Sequence, residues 1–250
     1  MELSFHNVTK CFGGVKALDA VSLTFRSGEI TALVGPNGAG KTTLFSAASG
    51  FIRPEQGNIA YGGQSLVGMT PQRIASLGIG RLFQDLRVFD RLSVRDNVMV
   101  AARRQIGEQP LVSLVLSRRS RLAEKRNGET AGRWLEFVGL HEVAHLRARQ
   151  LSFGQQKLLA IARLLANEAD FLLLDEPAAG INPDMADDVL DLIRRLAEMG
   201  KTVVMIEHNL DAVRRICRSA YLMADGRVID HGSVEDVLRS AVQHKVGYGA

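Results

Sequence analysis

The apolar residues of the chain fall into two kinds of short run, and the difference predicts two kinds of strand. Leu3, Phe5 and Val8, and then Val21, Leu23 and Phe25, alternate with polar neighbours, as half-buried strands of an antiparallel layer do. The runs ITALV from Ile30 to Val34, FLLL from Phe171 to Leu174 and TVVMI from Thr202 to Ile206 are unbroken, which suits parallel strands buried on both faces. Asn58 to Tyr61 before Gly62-Gly63 reads as a further strand and turn, and Ala220 to Asp230 as a hairpin turning at Asp225-Gly226.

Helices are expected between these runs. Lys41 to Ser49 lacks Gly and Pro, and LSFGQQKLLAIARLL begins a long periodic stretch at Leu151. Met185, Val189, Leu192, Ile193 and Leu196 follow a 3.6-residue period that Gly200 stops. Thr70-Pro71, Ser93 with Asp96, Asn182-Pro183 and Ser233 with Asp236 each read as a helix start. From Ser93 to Gln150 no strand pattern is visible, and Ala131 to Val138 is helical in character. Buried strands alternating with helices indicate an α/β fold, here preceded by an antiparallel layer.

Composition narrows the class without naming a function. With 250 residues, 46% apolar and 23% charged, the chain has the make-up of a soluble globular protein able to bury a large core. No stretch reaches the ~18 to 20 apolar residues of a membrane span, and MELSFHNVTK has neither the basic start nor the apolar core of a signal peptide, so a cytoplasmic protein is expected. Cys11 and Cys217 fit no metal-ligand spacing and are read as reduced thiols. A net charge of +4 tolerates anionic lipid nearby but lacks the positive field of a dedicated DNA binder. Arg103 to Arg126 holds seven Lys/Arg against two Glu, which reads as a solvated helix face or a contact surface. Within it, LVSLVL (111 to 116) is apolar enough to dock another protein.

The chemistry is concentrated at GPNGAGKTT, residues 35 to 43, between a buried strand and a helix. Gly35, Gly38 and Gly40 free the backbone to aim N–H groups at a phosphate, with Pro36, Asn37 and Ala39 between them, and the helix that follows adds its positive end. In this pattern Lys41 meets the β- and γ-phosphates and the Thr42 hydroxyl meets Mg²⁺, with Thr43 following. The bland alternative, a glycine-rich turn before a helix, does not account for the Lys-Thr pair. Asp175 and Glu176 end a buried strand, where unpartnered acids are costly, so a metal or a water to hold explains them. Glu207 and His208 end another, at a strand end where open α/β sheets place their ligands. Ser152 and Gly154 open a second helix able to face an anion. Phe12 is either a core aromatic beside a turn or a ring exposed for stacking on a purine, and Gln84 by itself says little.

Taken in order, the phosphate loop, Gln84, LSFGQQ at 151 to 156, FLLLDEP and His208 resemble the ATP-binding subunit of an ABC transporter over nearly the whole chain. The resemblance implies a single ATP-binding domain over 1–250. Its core would be 1–92 and 166–250, with a helical sub-domain near 93–165 carrying the signature. It also implies that two subunits close head to tail over two ATP, with Ser152, Phe153, Gly154 and Gln155 acting in trans. By the same resemblance Glu176 is the general base, Asp175 a Mg²⁺ partner, Gln84 a metal and water contact, and His208 the γ-phosphate switch. Phe12 and Ala17 would border the adenine. The implied partners are a second ATP-binding subunit, transmembrane permease subunits and, indirectly, a solute-binding protein, at the cytoplasmic face of the membrane and without nucleic acid.

The segments AGINP and FQDLRVF, the long basic section and Phe153 resemble the branched-chain amino-acid uptake group, with urea or short amides as the alternative cargo. One departure stands out: Asn182 precedes Pro183 where the family often has Asp, which puts the cross-interface contacts of that Asp in question. Three rivals are weaker. ABC ATPases of DNA repair or the ribosome tend to carry a long coiled coil or two nucleotide domains, a P-loop kinase would not need the signature, and a non-hydrolysing subunit would not need Glu176 and His208.

Overall fold

The computed structural model describes residues 1–102 and 117–243. The LVSLVL segment, much of the basic section and the GYGA tail lie outside the described residues. The chain divides into two compact units, one of Met1–Gln84, Asp170–Ala179 and Asp187–Ala250, the other of Asp85–Ala169 with Gly180–Ala186.

The first unit holds two sheets. The alternating N-terminal segments form β1 (Leu3–Phe12) and β2 (Val15–Phe25), which pair antiparallel and continue through β4 (Gln56–Tyr61) to β5 (Gln64–Ser65), in the order β2-β1-β4-β5. The unbroken runs form β3 (Ile30–Val34), β7 (Phe171–Asp175) and β8 (Thr202–Ile206), joined by β6 (Ile79–Leu82), β9 (Ser219–Ala224) and β10 (Arg227–Ser233). Their order is β10-β9-β3-β8-β7-β6, parallel throughout except for the β9–β10 hairpin. The expected α/β fold with a mostly parallel core sheet and an antiparallel layer is the one observed.

Burial explains why the central runs do not alternate. Leu33 packs with Phe5, Phe25, Phe45 and Phe171 into the larger core cluster. On the opposite face of the same strand, Ala32 and Val34 pack with Val213, Leu222, Val237 and Leu238. A strand apolar on both faces reads as a continuous run. Around this sheet stand α1 (Lys41–Ala48), α2 (Pro71–Ser76), and, after β8, α7 (Leu210–Ile216) and α8 (Val234–Gln243). Burial, reinforced by the nearby Glu207 charge, pushes the Cys217 thiol up to about 12, so it stays a protonated, structural thiol at neutral pH.

The second unit is helical: α3 (Val94–Ala101), α4 (Ser117–Phe137) and α5 (Phe153–Ala166). Buried Asn97 fastens the loop before α3, accepting from the Phe89 N–H (2.8 Å) and donating to the carbonyls of Phe89 and Ser93 (3.0 Å each). Ser93 caps α3 through the Asp96 N–H at 2.9 Å, as its sequence predicts. Helix α6 (Pro183–Glu198) starts in this unit, where the Asn182 side chain accepts from the Met185 N–H at 2.9 Å. Asn182 thus supplies the cap acceptor that an Asp would supply.

Candidate functional site

Three strand ends of the core sheet deliver the chemistry. β3 runs into Gly35 and the loop that ends at α1, β7 ends in Asp175 and Glu176, and β8 ends ahead of Glu207 and His208. In the loop, Gly35 and Ala39 are buried, whereas Asn37, Gly38 and Thr42 are exposed and Pro36 and Thr43 half-buried. Gly40 is the N-cap of α1 at φ 97, and a Cβ there would collide with the Ala17 carbonyl. That close approach is why the position needs glycine, and it sets Ala17 beside the phosphate loop.

Lys41 folds back over its own loop. Its ammonium donates to the carbonyls of Gly35 at 2.6 Å and Pro36 at 2.8 Å, and the side chain is buried. Burial lowers its pKa, while the charges of Asp175 and Glu176 pull it back up. A buried cation facing two carboxylates across a loop of backbone N–H groups is suited to holding a phosphate chain.

Glu176 is bracketed by the other two expected groups. Gln84 Nε2 donates to its Oε2 at 3.2 Å, and His208 Nε2 lies 3.3 Å from its Oε1. Its backbone is left-handed (φ 51), and its N–H donates to the Ile206 carbonyl at 2.9 Å. A non-glycine residue held at positive φ stores of order 1–3 kcal/mol of strain, which neighbouring structure must hold in place. Gln84, to which the residue pattern by itself gave no role, is therefore brought onto Glu176.

Asp175 is the more buried acid. Its Oδ2 lies 3.5 Å from Arg81 Nη2, inside ion-pair range, but makes no hydrogen bond. Burial raises its pKa, Arg81 lowers it and Glu176 raises it again. A buried carboxylate oxygen without a hydrogen bond fits a hydrated Mg²⁺, whose remaining ligands come from water and phosphate. Among the described residues no three His, Cys, Asp or Glu come together as a group that could by itself hold a metal ion.

Phe12 ends β1, 48% exposed and with the Lys10 ammonium 5.2 Å from its ring centroid, so it is not a core aromatic. In the second unit, Ser152 caps α5: its hydroxyl accepts from the Gln155 N–H (3.2 Å) while the Gln155 side chain accepts from the Ser152 N–H (3.0 Å). Ser152 and Phe153 are exposed, and a Cβ on buried Gly154 would collide with Met185. The pattern did not single out Arg81, although it interrupts an apolar strand. Its side chain is 6% exposed and also donates to Ser46 of α1 at 3.0 Å and to Ser49, the residue after that helix, at 3.3 Å. Nor did it single out Asp19, which pairs with Arg227 (Nε, 2.9 Å) while its N–H donates to the Gly226 carbonyl at 2.8 Å, fixing the β9–β10 turn against β2.

A nucleotide-binding loop with two strand-end acids defines a P-loop ATPase. Residues 18–179 match the family model described as ABC transporter, and the chain belongs to that family as an ATP-binding subunit that hydrolyses ATP. It is 37% identical over 248 residues to a probable branched-chain amino acid transport ATP-binding protein, LivG, of Archaeoglobus fulgidus, covering 99% of this chain and 95% of that one. It is 36% identical over 236 residues to the high-affinity branched-chain amino acid transport ATP-binding protein LivG of Escherichia coli K12, covering 94% and 92%. A nucleotide-free ATP-binding cassette from an ABC transporter superposes with a TM-score of 0.84 at 33% identity, covering 98% of this chain and 97% of that one. A dimeric cassette bound to ADP and phosphate superposes with a TM-score of 0.77 at 25% identity, covering 93% and 98%.

Proposed function

We propose that the chain energises an importer of branched-chain amino acids, working at the cytoplasmic face of the membrane on permease subunits that carry the solute path. The observation that carries this reading is the 36–37% identity, over nearly the full length of both chains, to ATP-binding proteins of that transport class. Among the described residues no helix is long and apolar enough to cross a membrane, which fits a peripheral subunit. The chain acts as one ATP-binding domain whose helical part, near residues 93–165, carries the signature.

In this reading Lys41 and the loop N–H groups hold the β- and γ-phosphates, and Thr42, Asp175 and Gln84 would hold Mg²⁺, which when bound would supply charge neutralisation at the phosphates. Phe12 and Ala17 border the base. Glu176 takes a proton from the attacking water, Gln84 orients that water, and His208 contacts the γ-phosphate. Ser152, Phe153, Gly154 and Gln155 serve the ATP of a second ATP-binding subunit, because a capped helix N-terminus adds donors without adding a charge.

Cells lacking the chain are expected to lose uptake of labelled leucine, isoleucine and valine. A wild-type copy should restore it and a Glu176→Gln copy should not. Unchanged uptake of all three, with no second system present, would overturn the cargo and leave the ATPase intact. The shared site has its own test. Lys41→Ala and Ser152→Arg chains, each inactive alone, should regain ATPase activity on mixing, since a mixed dimer keeps one intact composite site. Activity no higher than either parent would rule the arrangement out.

A further inference from the structure

A cavity lies in the first unit, lined by no residue of the phosphate loop, and its polar lining includes positions of the core sheet. On β3, β9 and β10 the register sets Thr31 beside Ser219 and Ser219 beside Ser233, so three hydroxyl residues form one row across three strands. Their neighbours two residues along, Leu33 on β3 and Met223 beyond Tyr221 on β9, belong to the apolar core. Of the three, Ser233 is exposed and caps α8, its hydroxyl accepting from the Asp236 N–H at 3.3 Å, so the break in the apolar face is the Thr31–Ser219 pair, and such breaks in pattern are expected at functional sites. The cavity they floor has a volume of about 440 Å³.

Two cations share the cavity's lining. Arg26, just past the end of β2, and Arg218, just before β9, both line the cavity, and neither has an ion-pair partner among the described residues. One carboxylate, Glu29, shares the lining, so the fixed charge is net positive before His231 is counted. The imidazole of His231 lies stacked on Tyr221 (centroids 5.5 Å apart, planes at 10°), whose hydroxyl is itself committed to the Thr24 carbonyl at 2.7 Å. On the floor, Thr31 Oγ1 and Ser219 Oγ are 3.1 Å apart. One of these hydroxyls donates to the other, which leaves the accepting hydroxyl's own proton to offer to a ligand.

We propose that this cavity binds a small organic anion, its carboxylate or phosphate group held by Arg26 and Arg218 over the Thr31–Ser219 hydroxyls, with a hydroxyl or ammonium group of the same molecule donating to Glu29. Planar guanidinium groups pair with both kinds of oxyanion through parallel hydrogen bonds. The volume sets the size. At about 30 Å³ per water the space corresponds to roughly fifteen waters, too much for a bare ion and within the range of small-molecule sites. The site is distinct from the nucleotide site. Thr31 and Gly35 lie at opposite ends of β3, about 13 Å apart at the rise of a strand.

The test is calorimetric titration of the full chain, its nucleotide site filled with ADP, with glycerol 3-phosphate, malate and inorganic phosphate. Saturable one-to-one binding of at least one organic anion, tighter than that of inorganic phosphate, is expected, and which of the two binds separates a phosphate ligand from a carboxylate one. Arg26→Ala and Arg218→Ala should each weaken binding by roughly ten- to a hundredfold, the loss of charge-assisted hydrogen bonds. Ser219→Ala should weaken it less, all three variants should keep the wild-type ATPase rate, and the two arginine variants should also keep the wild-type melting temperature. No saturable binding of either organic anion up to roughly 10 mM would overturn the proposal. So would binding unchanged in the Arg26→Ala/Arg218→Ala double variant. Neither result would touch the ATPase reading, which rests on other residues.

Discussion

Glu176→Gln should retain nucleotide binding and lose ATP hydrolysis by roughly 10²- to 10⁴-fold, the range for removing a general base. The carboxylate has neighbours on both sides, Gln84 at 3.2 Å and His208 at 3.3 Å, so its position is set before any water arrives. The backbone beneath it is held as firmly. Residue 176 adopts φ 51 with its N–H bonded to the Ile206 carbonyl and its own carbonyl accepting from the Ala179 N–H at 3.3 Å. Glutamine keeps the shape and the acceptor oxygen but cannot take a proton, so the substitution isolates the proton-transfer step. Lys41, which should carry the phosphate contacts, is unaltered by it. Steady-state phosphate release beside equilibrium ATP binding is the check. Turnover near the wild-type rate would move the base elsewhere, and lost ATP binding would mean that Glu176 acts in the ground state.

What was legible in the sequence follows from how locally each feature is determined. The phosphate loop could be read because its glycines, lysine and hydroxyl residues act within one loop and the helix it enters. Caps such as Ser93, Ser152 and Asn182 were legible for the same reason, each bonding an N–H three residues ahead. The parallel strands showed as unbroken apolar runs because helices and the antiparallel layer cover both faces of their sheet. The rest depends on partners far away in the chain. Gln84 means little until β6 and β7 pair in register, Gly80 beside Leu172, and carry it to Glu176. The fate of Phe12 was undecided because a ring beside two glycines packs inward or outward according to the sheet it joins. The Thr31–Ser219–Ser233 row was invisible for a similar reason, since three separate strands contribute one hydroxyl each.

Arg81 is the sharpest case of a residue hidden from pattern reading, and it carries the second large effect. It sits in a short apolar run on β6, an end strand of the six-stranded sheet, where a lone arginine looks like a solvated edge position. Instead its side chain is 6% exposed, beside an Asp175 that is 2% exposed, and it ties β7 to α1 through Ser46 and the helix's C-cap, Ser49. Forming such a pair gains little over apolar packing, but breaking one by removing a single partner leaves a buried charge alone, at a cost of about 3–5 kcal/mol. Against a total stability of roughly 5–15 kcal/mol, Arg81→Ala should therefore lower the denaturation midpoint severely. The pH dependence has a definite sign. Burial already holds the Asp175 carboxyl above its ordinary range, and Arg81 is the first influence opposing that rise. Without the guanidinium the folded-state pKa climbs further. Below the unfolded carboxyl's pKa, about 3.9, the group is protonated in both states and the variant loses little through this charge. As the pH rises past that value the unfolded chain ionises more readily than the folded one, and the deficit grows towards neutrality. Adding Asp175→Asn, which removes the charge and keeps the shape, should recover most of the loss. Chemical denaturation of wild type, both single variants and the double variant near pH 4.5 and pH 7.5 measures the coupling. A deficit for Arg81→Ala below about 1 kcal/mol at the higher pH, or no recovery in the double variant, would show that the pair does not hold the acid in place.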